Sequence, residues 1–193
     1  MTNSKPEIGP SLRLRVFAGP NGSGKTTIIN AVRNYQVNGR NIDFGHYINA
    51  DDIAKQLRDH SYAFDHFQIP FSESSFLQFA ATSGLIHEQF SLSQLKKIIL
   101  IGDKHIQCQD LVYVEQLAQL IARYLREQLL IHKKRFSFET VFSHPSNIDI
   151  MKKASEMGYK VYLYFVSTES AEINKFRVKL QSKKEGMMYR KIK

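Results

Sequence analysis

Ten residues near the start of the chain, Ala18 to Thr27, read AGPNGSGKTT, and within them Gly19, Gly24, Lys25 and Thr26 fill the pattern G-x-x-x-x-G-K-[ST]. Residues of these types at this spacing do one kind of chemistry, the holding of a phosphate chain. Glycines at Gly19, Gly22 and Gly24 let the backbone turn its N–H groups inward without a side chain in the way. With Asn21, Ser23 and Thr27 they make up the binding loop. Lys25 reaches the outer phosphate oxygens, and Thr26 offers its hydroxyl to a magnesium ion. The cofactors expected on this motif are therefore ATP and Mg2+.

Phosphoryl transfer also wants a carboxylate to orient an acceptor or take its proton. Two places qualify. Asp51 and Asp52 follow His46-Tyr47-Ile48-Asn49, which reads as a short strand, and Glu139 with Thr140 ends the strand that starts Arg135-Phe136-Ser137-Phe138. Each has a structural alternative: a carboxylate at such a point can cap a helix or join an ion pair.

The elements that must position these groups alternate. Leu12 to Phe17 reads as a buried strand before the loop, and Ile28, Ile29 and Val32 recur at helical spacing after it. Asn38-Gly39-Arg40-Asn41 is a turn, His46 to Asn49 a strand, and Asp51 to Leu57 the opening of a helix. Asn147 to Met157 forms a helix stopped by Gly158, and Lys160 to Ser167 is the clearest strand. Strands alternating with helices predict an α/β chain of the P-loop NTPase type, three layers around a parallel sheet, with ligands at the carboxyl ends of the strands. The expected organisation is one domain over 1–193, a helical insertion at 60–110 and a basic tail at 175–193. The insertion carries Tyr62, Phe64, Phe67, Phe71, Phe76, Phe79 and Phe90, read as a local core, then a helix with Leu92, Leu95 and Ile99 on one side. A longer helix follows, marked by Val114, Ala118, Ile121, Leu125 and Leu129. His60, His66 and His87 lack the spacing of metal ligands.

Composition narrows the class. The net charge is +9, but the nineteen residues from Lys175 hold eight Lys or Arg and one acid, a net +7, which leaves +2 for the rest. Charge confined to a tail, without interleaved aromatics, argues against specific nucleic-acid binding. One cysteine, Cys108, excludes an internal disulfide and suits a reducing compartment. The polar start MTNSKPEIGP is not a signal peptide, and no apolar run is long enough to span a bilayer. A cytoplasmic protein without membrane contact is expected.

Four stretches, AGPNGSGKTT, YINADDIA, FSFET followed by a helix and GYKVYLYFVS, and EINKFRVKL, occur in an order that resembles the zeta toxin family of P-loop kinases. The resemblance covers most of the chain outside the insertion. It implies an ATP-dependent kinase acting on a hydroxyl of a small molecule, UDP-N-acetylglucosamine in characterised members, and an antitoxin protein as a partner. It implies Asp51 as general base, Glu139 and Thr140 as acceptor contacts, Lys25 and Thr26 as holders of ATP and magnesium, and Arg177 as the cation that stabilises the moving phosphoryl group. The stretch Gln181-Ser182-Lys183-Lys184-Glu185-Gly186-Met187-Met188 departs from the family, which there has a second arginine and a Gly-Gly-His turn; Arg190 is the candidate to substitute for the missing cation. Loss of one such cation slows transfer by orders of magnitude. Two other readings therefore stand beside the kinase: an ATP-binding module with weak or lost catalysis, and an ATPase coupled to a partner.

Overall fold

A computed structural model describes residues 11–142, 144–170, 172–173 and 178. Its described elements run β1 (Arg13–Ala18), α1 (Lys25–Asn34), β2 (Gln36–Val37), β3 (Arg40–Asn41), β4 (His46–Ile48), α2 (Ala50–Asp59), β5 (Tyr62–Ala63), α3 (Glu73–Thr82), α4 (Leu92–Ile98), β6 (Ile99–Gly102), β7 (His105–Cys108), α5 (Val114–Ile131), β8 (Phe136–Thr140), α6 (Ser146–Glu156) and β9 (Lys160–Phe165). Among the described residues no helix is long and apolar enough to cross a membrane. The chain is α/β and divides into two compact units, one of residues 1–44 and 137–193, the other of Gly45–Phe136.

In the first unit β1 lies between β8 and β9. It pairs with β9 in parallel, from Arg13 opposite Lys160 to Ala18 opposite Phe165. Residues of both its faces are buried, Leu14, Val16 and Ala18 on one and Arg15 and Phe17 on the other, as in a parallel strand whose two faces are covered, and this explains its run of apolar residues. Leu14, Val16, Phe17 and Ala18 are all fully buried. Phe17 stacks on Phe44 at 5.4 Å and on Tyr164 at 4.7 Å. Arg15 is the exception in sign: its Nη1 donates to the Asp43 carbonyl, and its guanidinium lies 5.0 Å from the Tyr162 ring centroid. The turn expected at Asn38-Gly39 joins β2 to β3 as a hairpin, with both residues at positive φ as a tight two-residue turn demands.

In the second unit α2 packs its Ile53, Ala54 and Leu57 face against α5, whose Leu117, Ala118, Ile121 and Leu125 are buried. Most of the aromatic residues form a local core here, as their spacing suggested. Tyr124 of α5 meets Phe64, Phe71, Phe76 and Phe79 edge-on, and its hydroxyl pairs with Ser75 Oγ at 2.8 Å. The insertion is not purely helical, however. Between α2 and α5 lie α3 and α4, but also the antiparallel sheet β5-β7-β6. The unit begins at Gly45 and ends at Phe136, wider than the 60–110 segment read from sequence. Gly45 is required at its start: at φ 60 a Cβ there would lie 2.1 Å from the Arg135 carbonyl oxygen. That close approach lets His46 N–H donate to the same carbonyl at 2.9 Å.

Two histidines of this unit flank one ring. His66 lies 3.9 Å and His46 5.5 Å from the Phe67 centroid. Burial lowers the pKa of His46, helped by His66 and Lys134; burial also lowers that of His66, opposed by Asp65. A base with a lowered pKa binds fewer protons folded than unfolded, so stability falls as pH drops through the ordinary histidine range near about 6.5. A melting temperature that declines between about pH 7.5 and about pH 5.5, with a shallower decline in His46→Gln, is the expected result. Equal slopes in the two proteins would show that His46 contributes nothing to the effect.

Candidate functional site

The loop between β1 and α1 is shaped by its glycines. Gly19 has φ 149, and a Cβ on it would stand 2.0 Å from the Val166 carbonyl oxygen, so no other residue fits without moving backbone. Its N–H donates to the Thr140 carbonyl at 3.2 Å, which ties the loop to the end of β8. Gly22 and Gly24 also have positive φ, 76° and 96°. Gly24 stands as the left-handed residue immediately before α1. The Ser23 N–H closes a turn on the Pro20 carbonyl at 3.2 Å.

Helix α1 starts at Lys25 with no side-chain cap and no acid in its first turn. By contrast α2, α3 and α4 are capped by the side chains of Asn49, Ser72 and Ser91, and α5 and α6, which also have no side-chain cap, carry Glu115 and Asp149 in their first turns. The free N–H groups and the positive dipole end of an uncapped helix favour an anion. Thr26 and Thr27, in that first turn, are exposed. Ser23 is the opposite case: it is buried, and its Oγ has no hydrogen-bond partner among the described residues. An orphaned hydroxyl in a loop of this shape fits a ligand rich in acceptor oxygens.

Lys25 supplies the charge. Its side chain is only 6% exposed, its Nζ donates to the carbonyls of Gly19 at 2.9 Å and Pro20 at 3.1 Å, and it lies 3.8 Å from Glu139 Oε1. Thr140 follows at the strand end, its Oγ1 accepting the Phe142 N–H at 3.1 Å. Thus Gly19, Lys25, Glu139 and Thr140, far apart in sequence, come together in the first unit.

Asp51 belongs to the second unit, in the first turn of α2 just after β4. The N-cap of this helix is Asn49, whose Oδ1 accepts the Asp51 N–H at 2.9 Å, while Asp51 and Asp52 both stand in the first turn, where a carboxylate faces the positive end of the helix. Arg177, Arg190 and the Gln181–Met188 stretch lie outside the described residues. Sequence reading put Glu139 at the sheet edge near Lys25, as the structure does, but missed that the two pair at 3.8 Å, and it missed Asn49. An Asn two residues before an Asp-Asp pair was the available signal for the second; nothing local signals the first.

Comparison with family models, with curated proteins and with solved structures finds no match for the chain.

Proposed function

We propose that the chain is an ATP-dependent phosphotransferase on a three-layer P-loop fold, passing the γ-phosphate to a hydroxyl of a small molecule. The observation that carries the reading is the loop 19–26: left-handed glycines, an uncapped helix start, and a nearly buried ammonium at one place. These features suit a chain of phosphates better than any other common ligand, because they combine backbone donors, a dipole and one fixed cation.

The residues divide the work as follows. The N–H groups of residues 22–27 bind the phosphates, and Lys25 neutralises their outer oxygens. The Thr26 hydroxyl is the group suited to hold magnesium, which when bound spreads the charge that builds on the transferring group. Asp51 takes the acceptor proton; support for this comes from the family resemblance and from its place after a strand of the sheet-forming alternation. Glu139 and Thr140 lie at the carboxyl end of β8, where an acceptor is expected in a sheet of this kind. Arg177 carries over from the resemblance as the stabilising cation, and UDP-N-acetylglucosamine as the first acceptor to try. An antitoxin-like protein partner and a cytoplasmic setting belong to the same proposal.

The test is acceptor-dependent turnover. ADP release from Mg-ATP should rise at least about tenfold when the acceptor is added, because positioning the acceptor supplies most of the rate. Turnover that ignores every hydroxyl acceptor offered, with ATP bound, would replace the kinase by one of the two non-transferring readings.

A further inference from the structure

Lys25 is engaged by groups of the chain itself. Of its three ammonium protons two are donated to the Gly19 and Pro20 carbonyls, and the Glu139 carboxylate stands 3.8 Å from the nitrogen. The two side chains are 6% and 15% exposed, so water screens their charges weakly. The Gly19 N–H bond to the Thr140 carbonyl, 3.2 Å, anchors the end of β8 to the loop, which keeps the carboxylate at this position. Any phosphate oxygen that reaches Lys25 must then come close to a second negative charge.

We infer that Glu139 acts as a guard on Lys25: it holds the ammonium in the free protein and turns away phosphate chains that arrive without a divalent cation. The inference rests on the phosphate-binding reading above and deepens it. It gives Glu139 a positioning role on the nucleotide side of the site, distinct from an acceptor contact. A cation carried with the nucleotide cancels the repulsion, so the dependence of binding on magnesium comes partly from this carboxylate. The same loop without Glu139 would accept free ATP and inorganic tripolyphosphate readily.

Titration calorimetry on the full chain separates the possibilities, with ATP or tripolyphosphate in EDTA and again with Mg2+. Glu139→Gln should bind metal-free ATP about tenfold more tightly than the unmodified chain, and magnesium should narrow that difference. Glu139→Asp keeps the charge and should stay within about threefold of the unmodified chain, which a purely structural role would not predict. Metal-free binding by Glu139→Gln that is equal or weaker, while the unmodified chain binds Mg-ATP and Lys25→Ala does not, overturns the guard and leaves the phosphate-binding reading standing. If the unmodified chain binds neither ligand under either condition, the phosphate-binding reading falls and this inference falls with it.

Discussion

Replacing Lys25 by Ala should abolish the thermal stabilisation that Mg-ATP gives the unmodified chain. Hydrogen bonds to charged groups contribute about 1.5–3 kcal/mol each, and this ammonium is nearly buried, so a loss of affinity on the order of a hundredfold is expected. Removal also takes away the donor that the Gly19 and Pro20 carbonyls share, at 2.9 Å and 3.1 Å. The ligand-free protein should therefore melt slightly lower as well. The two effects are separable: the first needs ATP, the second does not. Stabilisation by ATP that persists in Lys25→Ala would place the nucleotide elsewhere.

The second large effect belongs to Asp51. Asparagine there keeps the size and the Asn49 cap, whose acceptor is the Asp51 backbone N–H and not its carboxylate. Folding should be almost unchanged. Transfer should fall by about 10²–10⁴, the usual contribution of a positioned general base, with ATP affinity nearly intact. A rate within a few fold of the unmodified chain would remove Asp51 from the chemistry. Parallel loss of ATP binding would assign it to the nucleotide instead.

What could be read from the sequence was whatever local chemistry dictates. The strand Arg13–Ala18, the glycine loop and the helix from Lys25 follow one another because apolar runs, left-handed glycines and a helix start each carry their own signal. The helix stop at Gly158, with φ 83, is of the same kind. By contrast Ile98 to Ile101 is a short apolar run directly after a helical pattern, and such a run looks the same in a buried helix and in a strand. In the structure α4 ends at Ile98, and β6 turns back on β7 through Lys104, which takes a left-handed φ of 56 without glycine. The hairpin does not announce itself because its turn, Asp103-Lys104, has no glycine, and the wider second unit does not because its boundaries depend on partners distant in the chain. The candidate site divides in the same way. Lys25 and Gly19 were legible from the motif, whereas the proximity of Glu139 to Lys25 arises only when β8 lies beside β1.

The central claim is that the γ-phosphate leaves ATP for a hydroxyl. The most direct measurement is mass spectrometry of UDP-N-acetylglucosamine and other hydroxyl compounds after incubation with Mg-ATP and the purified full chain, with Asp51→Asn in parallel. An acceptor heavier by one phosphoryl group is expected in the unmodified sample and none in the variant. Acceptors that all stay unmodified, in a sample where calorimetry shows ATP bound, would contradict the claim.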